Sequence, residues 1–157
     1  MLKWLWLSII VAVLDQGTKT LASMQLEYAV PLPVMPSFNL TLLHNTGAAF
    51  SFLSDAGGWQ RWMFIGLAIL VTVVIVMWLR KLDARNWVAA LALTLVLGGA
   101  VGNLIDRLRL GYVVDFVQLY YESWYFAAFN IADSAISVGA TLLIIDALFF
   151  GSVHKED

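Results

Sequence analysis

Four long apolar stretches dominate the chain. They cover residues 2–21, 62–79, 87–104 and 129–150. Each is close to the ~20 residues that an α-helix needs to cross the hydrocarbon core of a bilayer. Tryptophans favour the membrane interface, and they stand at or near the ends of the first three stretches, at Trp4, Trp6, Trp59, Trp62, Trp78 and Trp87. The pattern predicts four transmembrane helices.

Two shorter segments alternate or are rich in β-branched and aromatic residues, as strands are. Residues 38–42 alternate between apolar and polar side chains, and residues 112–117 form the second strand candidate. Residues 45–47, Asn-Thr-Gly, are typical of a turn. We therefore expect a single all-α membrane domain, residues 1–157, in which a small sheet lies on the outer membrane surface.

Composition supports a bilayer and excludes several chemistries. Hydrophobic residues make up 61% of the chain and charged residues 13%, about half the charged share of a soluble domain. The net charge of −2 gives no indication of a nucleic-acid partner. The chain has no cysteine and only two histidines, His44 and His154. Disulfides, thiolate nucleophiles and zinc–thiolate sites are therefore excluded, and no metal site is expected.

The distribution of cations predicts the orientation. The connection 80–86 contains Arg80, Lys81 and Arg85, whereas residues 23–58 contain no Lys or Arg. The positive-inside rule then places this connection and both termini in the cytoplasm. The first stretch contains Asp15 and Lys19 and has no convincing cleavage site after it, so we expect a retained anchor rather than a signal peptide.

Two aspartates next to apolar runs are the main candidates for function. Asp115 lies within the second strand candidate, and Asp133 lies in the first turns of the fourth stretch. A carboxylate at the edge of a membrane is costly and indicates a functional site. For Asp133 alone, capping of a helix N-terminus explains the carboxylate equally well. The predicted topology places both at the outer end of the bundle, where they would form a pair.

Further polar residues share helix faces with this pair. Gly99, Asn103 and Arg107 are spaced i, i+4, i+8, and Asn130 precedes Asp133 by three positions, so each set lies on one face. Interhelical bonding explains Asn103 and Arg107 equally well, and for Asp106 a structural pair with a nearby arginine is as good as a catalytic role. Gly98 and Gly102 favour close helix packing. Asp15 and Lys19, spaced i, i+4, are predicted to form a structural ion pair.

The chemistry open to two close carboxylates is peptide hydrolysis without a metal or a covalent intermediate. One carboxylate takes a proton from water, and its protonated partner bonds the carbonyl under attack. Asn45, Asn103, Asn130 and Arg107 could orient the pair or the substrate. A serine mechanism would need His44 with Ser51 or Ser54, and neither serine has a nucleophile-elbow context. A small proton-coupled transporter and a non-catalytic membrane subunit remain as alternatives.

Five sequence blocks resemble those of the bacterial lipoprotein signal peptidases (signal peptidase II, aspartyl protease family A8). They are L-D-Q-x-T-K (14–19), N-T-G-A-A-F-S (45–51), G-G-A-x-G-N-x-x-D-R (98–107), V-V-D-F (113–116) and F-N-x-A-D-S (129–134). The resemblance implies a four-helix membrane protein with an extracytoplasmic β-cradle and a short surface helix. It implies that Asp115 and Asp133 are catalytic and that five residues bind substrate or support the dyad: Asn45, Gly99, Asn103, Arg107 and Asn130.

The resemblance also implies a substrate and a location. Enzymes of this family remove signal peptides from diacylglyceryl-modified prolipoproteins and cut before the lipidated cysteine. They are multi-pass proteins of the bacterial inner membrane, surrounded by membrane lipids, with the active site near the periplasmic face. The peptide antibiotic globomycin inhibits the family, and no cofactor is implied.

Overall fold

The computed structural model describes residues 1–47 and 58–149. Within these residues there are four long helices, and by length and composition each could cross a membrane. A single turn of 3-10 helix at Leu2–Trp4 leads into the first of them. The four helices are α1, Leu5–Gln25; α2, Trp59–Lys81; α3, Trp87–Arg109; and α4, Ile131–Phe149. The prediction of four membrane-spanning helices is confirmed.

The helices differ in length from the apolar stretches. α1 continues to Gln25 and α3 to Arg109, beyond the predicted ends at 21 and 104. The α3 extension includes Asp106, a charged residue that hydropathy excludes from a span but that is buried and paired with Lys19 in the fold. α4 begins at Ile131, later than predicted, because Asn130 caps it. Residue 150, the predicted end of the fourth stretch, lies outside the described residues.

α3 lies at the centre of the bundle and packs against the other three helices. Its small residues allow this close approach. A Cβ on Gly98 would lie 2.7 Å from Val11 Cβ on α1, and a Cβ on Gly102 would lie 2.6 Å from Asp15 Oδ2. The predicted small-residue contact is confirmed, and its partner is α1. Gly99 points to the other side, where a Cβ would lie 2.7 Å from Ile136 Cγ1 on α4.

One antiparallel sheet connects the helices at one end of the bundle, which we call the sheet-side end. Its strand order is β1-β2-β3-β4. The strands are β1, Leu32–Met35; β2, Phe38–Asn45; β3, Val113–Tyr121; and β4, Trp124–Tyr125. Both predicted strands are present and longer than expected. The register of the central pair places Leu43 opposite Asp115 and Asn45 opposite Val113, which brings residues distant in sequence to one place.

Two polar side chains of β2 are buried. They are Asn39 and Thr41, and Thr41 donates a hydrogen bond to Gln118 Oε1 at 2.8 Å. Large apolar side chains elsewhere in the sheet, such as Leu32, Val34 and Trp124, are exposed. A sheet surface of this kind suits contact with lipid rather than water. Residues 1–47 and 58–149 contain no short surface helix beside the sheet.

Candidate active site

Asp115 lies in β3 with its side chain only 2% exposed. Its two oxygens accept hydrogen bonds from two asparagine amides: Oδ2 from Asn45 Nδ2 at 3.0 Å and Oδ1 from Asn130 Nδ2 at 2.7 Å. Burial, followed by the negative charge of Asp133, raises the pKa of Asp115 to about 7, although these two bonds and the charge of Lys19 act in the opposite direction. Asp115 therefore keeps its proton to a much higher pH than a solvent-exposed aspartate does.

Asp133 lies in the first turn of α4 and is half-buried. Its Oδ1 accepts a hydrogen bond from Asn103 Nδ2 at 2.8 Å, and its Oδ2 accepts one from the backbone N–H of Asn130 at 3.2 Å. Asn130 Oδ1 in turn accepts from the backbone N–H of Asp133 at 2.9 Å. This reciprocal arrangement is a capping box. The capping interpretation of Asp133 is correct, and the same side chain also reaches the site.

Asn130 connects the two aspartates. It is fully buried, and its amide bonds the carboxylate of Asp115 on one side and the backbone of Asp133 on the other. Its Nδ2 also lies 3.2 Å from the carbonyl of Val114 and 3.3 Å from Asn103 Oδ1. Asp115, Asp133, Asn103 and Asn130, which the sequence placed in one functional group, therefore share one hydrogen-bonded site.

Asn45 reaches Asp115 from the predicted turn, which the structure contains. The backbone N–H of Gly47 donates to Asn45 Oδ1 at 2.9 Å, so the amide nitrogen of Asn45 is left to face Asp115. Gly47 has φ +104°, a conformation that favours glycine. A Cβ there would also lie 2.6 Å from the ring of Phe64. The remainder of this sequence block, residues 48–51, lies outside the described residues, as do Ser51 and Ser54.

Arg107 extends from the last turn of α3 toward the site. Its guanidinium carbon lies 4.9 Å from the centroid of the Phe64 ring, and its Nη1 donates to the carbonyl of Asn103 at 3.4 Å. The charges of Asp133 and Asp115 both act on it. Phe64 thus contacts Arg107 and the Gly47 turn, a role that the sequence did not indicate. Nothing in the largely apolar sequence of α2 distinguishes Phe64 from residues that face lipid.

Gly99 supports the site through packing. Its Cα approaches the carbonyl oxygen of Ala132 so closely that a Cβ would overlap it. This contact sets the position of the first turn of α4, and therefore of Asp133, against α3.

A buried ionic cluster lies beside the aspartates. Lys19 Nζ contacts Asp15 Oδ2 at 2.7 Å, as predicted, and Asp106 Oδ2 at 2.9 Å. Asp106 also accepts from Gln16 Nε2 at 2.8 Å. The suggested pairing of Asp106 with an arginine is wrong, because the register of α1 against α3 brings Lys19 to it instead.

His44 is adjacent to Asn45 and does not reach the aspartates directly. Its ring stacks on Tyr112 at 4.0 Å between centroids and lies 4.8 Å from that of Tyr28. Partial burial lowers its pKa. The side chain is otherwise exposed, and these ring contacts hold it at the end of β2.

Comparison with known proteins identifies the family. The sequence model of the family described as signal peptidase (SPase) II matches residues 7–149. A lipoprotein signal peptidase of Acinetobacter baylyi is 56% identical over 146 residues, covering 93% of this chain and 82% of the relative. One of Teredinibacter turnerae is 53% identical over 154 residues, covering 98% of this chain and 92% of the relative.

Solved structures agree with the fold. A structure described as a bacterial membrane enzyme, determined by the in meso method, has a TM-score of 0.84 and 31% sequence identity. The match covers 99% of this chain and 93% of that one. A second such structure has a TM-score of 0.81, again at 31% identity, and covers 94% of each chain. The chain therefore belongs to the signal peptidase II family of aspartic peptidases and is a multi-pass membrane enzyme.

Proposed function

We propose that Asp115 and Asp133 are the catalytic dyad of this peptidase. The observation that carries the proposal is their connection through the buried amide of Asn130, together with the pKa of about 7 that burial and Asp133 confer on Asp115. Two carboxyls in one desolvated site share a proton rather than ionise together. Below about pH 7 the pair then holds one proton, which is the protonation state that acid–base hydrolysis requires.

In the proposed reaction, the ionised carboxylate removes a proton from a water molecule as its oxygen attacks the carbonyl carbon of the scissile peptide bond. The protonated carboxyl donates a hydrogen bond to the carbonyl oxygen, where negative charge develops. The tetrahedral intermediate collapses, the carbon–nitrogen bond breaks, and the leaving nitrogen takes a proton from the dyad. Because one carboxyl must be ionised and the other protonated, the rate should depend on pH as a bell-shaped curve.

We infer that the substrate is a diacylglyceryl-modified prolipoprotein, cut immediately before its lipidated cysteine. Relatives that cover most of the chain carry the name lipoprotein signal peptidase. The position of the dyad supports the inference. It lies where the helices meet a sheet whose outer residues are apolar, so a peptide that emerges from the bilayer would pass it.

We further propose that this single-domain enzyme lies in the bacterial inner membrane. The cations of the α2–α3 connection support cytoplasmic termini and a periplasmic sheet-side end. Globomycin-type inhibitors are expected to block it, and the proposed chemistry requires no cofactor.

Cleavage of a diacylglyceryl-modified prolipoprotein by the purified protein in detergent tests this proposal. Asp115→Asn and Asp133→Asn should each lower the rate at least about 10³-fold, because each removes an acid–base group. Asp83→Asn is the matched control, since Asp83 is 59% exposed in the α2–α3 connection. Near wild-type cleavage by either dyad variant would refute the assignment. Equal cleavage of an unlipidated precursor would refute lipid recognition.

A further inference from the structure

The buried cluster around Lys19 is not used by the proposed chemistry. Lys19 is 3% exposed, and its ammonium group has three acceptors: Asp15 Oδ2 at 2.7 Å, Asp106 Oδ2 at 2.9 Å and Asn103 Oδ1 at 2.9 Å. An ammonium group has three donors and no acceptor. Its hydrogen-bonding capacity is therefore fully used within the protein.

The contact with Asn103 determines which way that amide points. Lys19 can only donate, so the oxygen of Asn103 must face it, and the amide nitrogen then faces Asp133, 2.8 Å from its Oδ1. The reversed amide would place two donors against each other at Lys19 and two acceptors against each other at Asp133. Lys19 thus fixes the hydrogen bond that Asp133 receives.

The two carboxylates paired with Lys19 hold the backbone beside the two members of the dyad. Asp106 Oδ2 accepts from the N–H of Val114, the residue before Asp115, at 3.0 Å. Asp15 Oδ1 accepts from the N–H of Ala132, the residue before Asp133, at 2.9 Å. The cluster therefore contacts both aspartates indirectly, from α1 and α3.

We propose that Lys19 is a positioning residue for the dyad, which orients the Asn103 amide toward Asp133 and supplies the buried positive charge that acts on Asp115. This inference rests on the proposed function of Asp115 and Asp133. The charged groups that face Lys19 are Asp15 on α1, Asp106 on α3 and, at longer range, Asp115 on β3. The charge of Lys19 lowers the pKa of Asp115, so its removal moves that pKa upward.

The pH–rate profile of Lys19→Met separates this role from a structural one. With rates normalised to folded, monodisperse enzyme, Lys19→Met should cleave at least about 10-fold more slowly. The alkaline limb of its bell-shaped profile, where Asp115 loses its proton, should move to higher pH by about half a unit or more, because the cation that favours ionised Asp115 is gone. Lys19→Arg keeps the charge, so its limbs should stay at the wild-type positions. Arg109→Met is the control. It removes an exposed cation from the end of α3 that carries Asp106, and it should leave the pH–rate profile unchanged.

A double variant covers the case in which Lys19→Met does not fold. Asp15→Asn with Lys19→Met leaves Asp106 as the one charge of the cluster, and asparagine can still accept from Ala132. Because Lys19, and not Asp15, is among the charges that act on Asp115, the same displacement is expected. A profile that superimposes on that of the wild type, at any yield or rate, overturns the inference, as does an equal displacement in Lys19→Arg. Absence of cleavage by the wild type would instead refute the proposed function.

Discussion

Three asparagine side chains hold the two aspartates of the site in place. Asn45 and Asn130 each donate to Asp115, and Asn103 donates to Asp133. Neutral amides hold carboxylates in place but favour the ionised form less than a cation does. A site built from amides can therefore fix two aspartates while leaving one of them able to keep a proton near neutral pH.

Asn130→Ala tests this arrangement. The substitution removes both the bond to Asp115 and the cap of α4, so we expect cleavage to fall about 100-fold. Loss of the cap should also cost about 1 kcal/mol of stability, measured as a lower melting temperature in detergent. Asn86→Ala is the matched control, because Asn86 occupies the N-cap position of α3 without a side-chain capping bond. If Asn130→Ala kept wild-type activity, the bridging role of Asn130 would be wrong.

The sequence predicted the polar members of the site but not the apolar one. Asp115, Asp133, Asn103 and Asn130 are conspicuous because polar side chains beside membrane spans are rare. Phe64, which contacts both Arg107 and the Gly47 turn, is one apolar residue among many in α2. Its role depends on how α2 packs against α3, and no local pattern records that.

Among the helices, the close contact between α3 and α4 is what positions Asp133. The first turn of α4 carries the aspartate, and Gly99 on α3 allows that turn to approach. The helices themselves followed from hydropathy. Their ends did not: α3, for example, continues through Asp106, which is polar in sequence and paired with Lys19 in the fold.

Gly99→Ala should therefore harm the enzyme although alanine is the better helix former. A methyl group would overlap the carbonyl of Ala132 and push α4 away, so we expect a loss of about 1–3 kcal/mol, as for other overpacked sites, and at least about 10-fold slower cleavage. The matched control is Gly66→Ala on α2, where a Cβ would meet no atom within 4 Å. This control should be neutral or stabilising by up to about 1 kcal/mol. Comparable melting temperatures and rates for the two variants would contradict the packing argument.

Polar side chains are concentrated at the sheet-side end when the whole molecule is considered. The ionic cluster, the dyad and the amides meet there, whereas the core toward the other end is apolar, formed by Ile75, Leu79, Ala90, Leu93 and Leu97. A transporter needs a polar path that continues across the membrane. Among the described residues, the fully buried charged side chains, Asp15, Lys19, Asp106 and Asp115, all lie at the sheet-side end, which supports a site that works at one membrane surface. Sequence could not establish this, because it required the depth of each side chain in the bundle.

The central claim is that Asp115 and Asp133 share one proton during hydrolysis, and its most direct test is the pH dependence of single-turnover cleavage by the wild-type enzyme. The rate should rise with pH as the first carboxyl of the pair ionises. It should fall as the pH passes about 7, because burial and Asp133 raise the pKa of Asp115 to that value and hydrolysis stops when Asp115 loses its proton. A rate that stays constant or keeps rising from pH 7 to about pH 9 would contradict the shared-proton dyad.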